Sequence, residues 1–285
     1  MEGYTTMLEF GQRLTHSKNG ELPKSWKAFR KYDGHSVIWL PHLQELWSIG
    51  RSAGPKLINT PVFFRQHLPD YPVHGELWHP SDQPQMITAA TTKIPQPHLW
   101  AKLKLVVFAF PADNSFVNPL DPDTWCHLES VVPWDAGEVE ENKYVMRPEE
   151  VEPTSVDLAA CGWEGLVFQN PKARYKNGRT KQVQKHKPEY DDEAIVIGYA
   201  EGKTGARVGT CGGLIVEWSP SEKTETIHGF TDACRGRKTF TVSGLDSSEW
   251  NNAEETYPIG TEIKFKFLSI SNLGTPMHCS IYRSK

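Results

Sequence analysis

Residues 175–199 read YKNGRTKQVQKHKPEYDDEAIVIGY, and the texture of the chain changes in the middle of this stretch. The first half is cationic. From Lys172 to Lys187 there are seven Lys/Arg and no acid, which leaves −11 on the rest of a chain whose formal net charge is −4. The second half opens a series of short runs, EAIVIGYA, GGLIVEW, TETIHGF, KTFTVSG and TEIKFKFLSI, separated by Gly, Ser and Asn. Alternation with period two, broken by turn residues at regular spacing, predicts a small all-β barrel of about five or six strands. A boundary near Lys187–Asp192 follows, dividing the chain into domains at 1–188 and 189–285.

Upstream of the boundary, HSVIWL, KLVVFAF and EGLVFQN are short, β-branched and aromatic, and predict buried strands. In TPVFFRQHL, Thr60 is placed to cap a short helix with Pro61 at its first position. From Asp113 to Pro153 the chain is rich in Pro, Asp and Glu with weak periodicity, which predicts loops. A length of 285 residues with 38% hydrophobic content allows two cores and excludes disordered and fibrous classes. No basic leader precedes an apolar core and no window of about 18 apolar residues occurs, so a soluble, non-secreted, cytoplasmic protein is expected. The five cysteines are widely spaced and lack a Cys-x-x-Cys pair, so they read as reduced, packed thiols.

Polar residues embedded in apolar runs carry the chemistry. Lys31-Tyr32-Asp33-Gly34 precedes a strand, Arg51 lies in the turn GRSAG, and Glu76 follows Gly75 inside VHGELW. Glu164-Gly165 repeats that pattern, and Lys185 and Lys187, two apart, share one face of a strand. Each has a bland reading alone: Lys-x-Asp-Gly occurs by chance, and a basic run is commonly a solvated face. Together they suit nucleotide chemistry. A lysine amine attacks phosphorus only when neutral, and nearby cations such as Lys185 and Lys187 lower its pKa. The same cations and a divalent metal neutralise charge on a transferred phosphoryl group. Glu164 or Glu76 is suited to holding magnesium or manganese, and Phe108 offers a face to a purine. No Gly-x-x-x-x-Gly-Lys-Ser/Thr loop is present, so a nucleotide is bound without one.

The order and spacing of these pieces resemble the ATP-dependent DNA ligases, within the covalent nucleotidyltransferases that include RNA ligases and mRNA capping enzymes. KYDG is similar to motif I, GRSAG to Ia, HGELW to III, VVFAF to IIIa, EGLVFQN to IV and KHK to V. The resemblance runs from about Lys31 to Arg283. Beyond the motifs, PVFFRQHLPDYPVHGELW, YKNGRTKQVQKHKPEYDDEAIVIGY and YPIGTEIKFKFLSISNLGTP are similar to the minimal ligases of bacteria, phages and viruses. The resemblance implies an α+β fold: a nucleotidyltransferase (adenylation) domain with mainly antiparallel sheets, followed by a C-terminal OB-fold β-barrel.

It also implies an enzyme that seals 3′-hydroxyl/5′-phosphate nicks in duplex DNA during repair, replication or recombination. Such an enzyme is expected to act as a monomer, with no membrane and no obligate protein partner. By the resemblance, Lys31 takes AMP from ATP as a phosphoramidate; Asp33 and Gly34 lie at the nucleotide, with Asp33 near the ribose or the 3′-hydroxyl. Glu76 binds the ribose, Phe108 stacks on adenine, Glu164 and Glu76 are the metal-binding carboxylates, and Lys185 and Lys187 contact the transferred phosphate. Arg51 grips the 5′-phosphate at the nick, and Arg174, Lys176 and Arg179 contact nucleic acid. Four departures stand out: Ser36 where the family usually has arginine, His74 where aspartate is common, Ala109 where aspartate often follows the motif IIIa aromatic, and an ending CSIYRSK in which Arg283 and Lys285 only loosely match the family's last motif. The competing readings are an RNA ligase or capping guanylyltransferase using the same covalent step, or an OB-fold nucleic-acid-binding protein that has lost catalysis. Retention of Lys31, Glu164 and Lys185 counts against the last.

Overall fold

The computed structural model describes residues 13–16, 23, 25–49, 54–81, 84–111, 115–116, 145–147, 163–176, 178–203, 205–227 and 229–283. They fall into two compact units. The first takes the described residues up to Arg147 together with Trp163–His186, and the second runs from Lys187 onward.

The first unit contains two sheets. One is antiparallel throughout and has the order β5-β4-β3-β6-β7-β8, where β3 is His35–Leu40, β4 Glu45–Ser48, β5 Lys56–Ile58, β6 Val73–Trp78, β7 Lys104–Phe110 and β8 Ser115–Phe116. The other has the order β1-β11-β10-β2-β9, with β1 at Arg13–His16, β2 at Lys27–Lys31, β9 at Val145–Met146, β10 at Gly165–Gln169 and β11 at Arg179–His186. Here only the β1–β11 pairing is parallel. HSVIWL, KLVVFAF and GLVFQ are strands, as their composition dictates.

Alternation decides which residues of the six-stranded sheet build the core and which remain for chemistry. Val37, Trp39, Leu46, Val73, Leu77, Leu105 and Val107 join one buried cluster. Phe64, Ile87, Ala90 and Trp100, from the short helices Val62–Arg65, Pro84–Ala90 and Pro97–Trp100, complete it. The buried indoles keep their donors satisfied, Trp39 Nε1 donating to Pro69 O at 2.7 Å and Trp100 Nε1 to Ala90 O at 2.8 Å. Because side chains alternate across a strand, Ser36, Glu76, Trp78 and Val106 point to the opposite face.

A bulge in β7 breaks the alternation at a useful place. Gly75 pairs with Val107 but His74 pairs with Ala109, so Phe108 is an extra residue on its strand. The phase changes there: Leu105 and Val107 enter the core before the bulge, and Phe110 enters it after. Ala109 is fully buried at this bulge.

In the second unit, β12 (Tyr190–Glu201), β13 (Cys211–Trp218), β14 (Lys238–Val242), β15 (Glu262–Phe267) and β18 (Ser280–Ile281) form a sheet of order β14-β13-β12-β15-β18. Its two edges meet at a parallel bridge between Ser243 and Ser280, where Ser243 N donates to Cys279 O at 3.1 Å and Ile281 N to Ser243 O at 2.9 Å. Joining both edges removes the open strand ends of a flat sheet, as in a barrel. Ala194, Val196, Leu214, Val216, Trp218, Phe265 and Phe267 fill the interior.

Asp192, at the start of this unit, is buried and well satisfied. Its carboxylate accepts from Trp218 Nε1 at 2.9 Å, Thr224 Oγ1 at 2.7 Å, Ser221 N at 3.1 Å and Glu193 N at 2.9 Å. Burial alone would raise its pKa, but these donors outweigh burial and hold it below the usual carboxylate value. Asp192→Ala is expected to destabilise the protein by about 2–3 kcal/mol, because the stranded donors lose their acceptor. Denaturant unfolding followed by tryptophan fluorescence checks this.

The structure corrects several sequence expectations. TETIHGF is not a strand: Ser221 caps a short helix, Glu222–Glu225, accepting from Thr224 N at 3.3 Å, so the local capping chemistry overrides the alternation. TEIKFKFLSI is not one strand either, since β15 ends at Phe267 and Ser269–Ile270 forms a separate two-stranded ribbon, β16, with β17 (Pro276–Met277). Thr60 does not cap the helix at Val62; Pro61 takes the extended flanking position, and Thr60 Oγ1 donates to Ile58 O at 2.9 Å instead. Of the predicted loop at 113–153, most lies outside the described residues, and β8 and β9 are strands within it. Among the described residues no helix is long and apolar enough to cross a membrane.

Candidate active site

Lys31 is the last residue of β2, and the residue opposite it on β10 is Gly165, which follows Glu164. That register sets Lys31 Nζ against the Glu164 carboxylate, to which it donates a hydrogen bond and with which it forms an ion pair. The two side chains are only 16% and 15% exposed. A second hydrogen bond runs from Lys31 Nζ to Tyr32 O at 3.3 Å.

The residues on either side of Lys31 are anchored to β6. Tyr32 packs edge-on against Trp78 with ring centroids 5.0 Å apart, and the Arg30 guanidinium lies 4.9 Å from the Tyr32 ring centre and 5.4 Å from that of Trp78. A lysine between two such anchors has little freedom to wander.

Gly34 completes the turn for a steric reason. A Cβ there would lie 2.4 Å from Leu77 O and 2.7 Å from Glu76 Cγ, so the turn is pressed directly onto β6. This close approach carries Glu76 to the neighbourhood of the amine. Gly34→Ala is expected to destabilise the first unit by about 1–3 kcal/mol, since a backbone carbonyl cannot swing aside as a flexible side chain can. Chemical denaturation of the variant checks it.

Burial is the largest single influence on the Lys31 amine and pulls its pKa down. The nearby carboxylates of Glu164, Glu76 and Asp33, with the hydrogen bond to Glu164, together outweigh burial, and the pKa lies above the ordinary lysine value. The net direction is therefore opposite to the lowering expected from Lys185 and Lys187. The strongest charges acting on this amine are acidic.

Lys31, Asp33, Gly34, Glu76 and Glu164 are thus brought together from three places in the chain. Lys185 lies on the neighbouring strand: Val167 is opposite both Phe29 and Lys185, so Lys185 and Lys31 share a face of the five-stranded sheet. Lys187 does not share that strand, because β11 ends at His186 and Lys187 begins the second unit. Arg174 and Lys176 are exposed between β10 and β11, and Arg179 is exposed at the start of β11. Arg51 and Lys285 lie outside the described residues. Arg283 pairs with Asp246 at 3.1 Å and with Glu249 at 2.6 Å, and donates to Gly244 O at 3.2 Å, contacts made within the second unit.

Beside Phe108 is a network that sequence reasoning did not assemble. His74 is fully buried, with Nε2 2.9 Å from Ser36 Oγ and Nδ1 2.9 Å from Tyr175 OH. Its ring centroid is 4.5 Å from that of Phe108 and 5.6 Å from that of Tyr175. Burial drives the His74 pKa down to about 3, so the imidazole is neutral. Two of the departures from the family pattern, Ser36 and His74, are therefore bonded to each other. Tyr175 is 101 positions from His74, and no local pattern announces such a contact.

No family model matches the chain. It is 26% identical over 283 residues to a DNA ligase of Haemophilus influenzae, covering 95% of this chain and 91% of that protein. Among solved structures, one from a structure-function study of Lig E DNA ligases as minimal DNA-binding scaffolds superposes with a TM-score of 0.69 at 21% identity. The match covers 96% of this chain and 98% of that one. Another, named Pmar-Lig_Pre, gives a TM-score of 0.67 at 14% identity and covers 96% of this chain and 67% of that one. From the KYDG turn to the strands of the second unit, the chain has the fold of the minimal DNA ligases.

Proposed function

We propose that this chain is an ATP-dependent DNA ligase that seals nicks in duplex DNA through AMP carried on Lys31. The observation that carries the reading is the Lys31–Glu164 pair. An immobilised, nearly buried amine held by a carboxylate, with Glu76 and Asp33 around it, sits at the end of a strand in a ligase fold. The curated relative in Haemophilus influenzae is itself a DNA ligase.

In the first step the neutral Lys31 amine attacks the α-phosphorus of ATP. The N–P bond forms, the bond to pyrophosphate breaks, and the amine's proton leaves. AMP then passes to the 5′-phosphate at the nick, and the 3′-hydroxyl displaces it. The carboxylates keep Lys31 protonated until they are neutralised, which protects the amine from unproductive reaction. Glu76 faces the nucleotide ribose, Phe108 the adenine and Lys185 the phosphates, while Arg174, Lys176 and Arg179 are exposed cations suited to a DNA backbone.

The donor set fits magnesium or manganese. Such an ion is held by one or two carboxylates plus substrate phosphate oxygens, which is what Glu164 and Glu76 offer. When bound, it neutralises the carboxylates that favour the lysine ammonium and the charge developing on the phosphoryl group.

The test is direct. With magnesium and α-labelled ATP, the denatured protein should retain an acid-labile, base-stable label, and the labelled protein should seal a nicked DNA duplex on addition of DNA alone. An unlabelled chain sinks the reading. Label that passes only to nicks with RNA on the 3′-hydroxyl side makes the chain an RNA ligase instead.

A further inference from the structure

The His74 imidazole has a demanding position that the ligase chemistry above does not use. It is entirely buried, both ring nitrogens are engaged, and its face lies against Phe108. An aromatic ring on an extra residue of a bulge lacks the cross-strand partner that would otherwise fix it. The His74 ring supplies that missing support, and Ser36 from β3 and Tyr175 from the segment before β11 fix His74 in turn.

We infer that His74 is a positioning residue for the nucleotide-base platform: held by Ser36 and Tyr175, it fixes the Phe108 ring and so sets the affinity for ATP rather than the rate of phosphoryl transfer. The inference rests on the ligase reading, in which Phe108 receives the adenine. The polarity of the chain is self-consistent. Neutral imidazole has one N–H and one bare nitrogen, so one neighbouring hydroxyl must donate to it and the other must accept. Either tautomer satisfies both contacts, and neither requires a charge beside the base. A longer charged pair in this place would bring its own desolvation cost to a site that must close on an uncharged ring.

The experiment measures the ATP dependence of Lys31 labelling in the full chain, with rate at saturation separated from KM. For His74→Ala, KM for ATP is expected to rise about tenfold while the rate at saturating ATP stays within about threefold. On a Phe108→Ala background the same substitution is expected to add less than about twofold, because residues acting through one another are not additive. Ser36→Ala and Tyr175→Phe each remove one of the two bonds to the imidazole and are expected to raise KM about two- to fivefold, also only when Phe108 is present. They keep the test open if His74→Ala does not fold. Additive effects with Phe108→Ala, a loss confined to the rate at saturation, or an unchanged KM in all three variants overturns the inference. Failure of the wild-type chain to label at all is a different result, which removes the ligase reading itself.

Discussion

Lys31→Ala is expected to abolish transfer of label from α-labelled ATP to the protein, by more than about 10⁴-fold, and Lys31→Arg is not expected to restore it. Arginine preserves the charge and the pairing with Glu164 but remains protonated at any accessible pH, so it has no lone pair to offer phosphorus. A site that merely bound ATP through a cation would tolerate arginine. The pH dependence of wild-type labelling separates the same two cases. Because the carboxylates hold the Lys31 pKa above the ordinary lysine value, the neutral amine is scarce at pH 7 and becomes more abundant with every step upward. Where chemistry limits the rate, labelling is expected to climb across pH 6–9 without a plateau. Glu164→Gln removes the strongest opposing charge and is expected to move the Lys31 pKa down, yet it also removes a carboxylate proposed to hold the metal, so its labelling is expected to be slow at all pH values but less steeply pH-dependent. Single-turnover labelling at saturating ATP across that range checks both statements.

Acid is expected to weaken the first unit through His74. This imidazole is neutral in the fold, with a pKa of about 3, whereas an unfolded histidine takes up a proton near pH 6.5. The sign follows from proton counting. Between those values the unfolded chain binds more protons, so stability falls as pH falls. The contribution is fully present above about pH 6.5 and shrinks by about 1.4 kcal/mol per pH unit below it, which amounts to roughly 3 kcal/mol at pH 4. Asp192 and Glu249, held below their usual values, also lose stability in acid, so the wild type alone does not isolate the effect. His74→Gln does: the difference between its unfolding free energy and that of the wild type should shift in the variant's favour between pH 7 and pH 4. A constant difference would mean that His74 is already charged in the fold.

The sequence was most legible where local chemistry and the final fold agree. HSVIWL and KLVVFAF are β-branched and aromatic runs buried on both faces, β12 alternates buried and exposed residues along much of its length, and each became a strand in an antiparallel sheet. The barrel-like second unit followed from that pattern, whereas the fold class of the whole came from the family resemblance that the motifs carry. It was least legible where tertiary contact or capping decides. Ser221 turned TETIHGF toward a helix, and the bulge at Phe108 reversed the phase of VVFAF. Within the site, Lys31, Gly34, Glu76 and Glu164 were readable as motifs because each sits at a strand end or beside a glycine. The sign of the Lys31 shift was not, because it depends on which charges come closest in space. Neither was the Ser36–His74–Tyr175 bond system, whose members are separated by up to 139 positions.

The pairing of β2 with β10 has a consequence for the order in which a functional molecule comes into being. In the six-stranded sheet β3–β4, β4–β5 and β7–β8 are local pairings, and even the widest one, His35 on β3 with Leu77 on β6, closes a much shorter loop than the pairing of β2 with β10. Lys31 and Glu164, by contrast, stand 133 positions apart, and joining them closes a long loop whose entropy must be met before any local contact rewards it. A refolding chain is therefore expected to bury the tryptophans of that sheet before Lys31 becomes competent for the labelling proposed for it. The lag between recovery of fluorescence and recovery of labelling measures how late its chemistry is born.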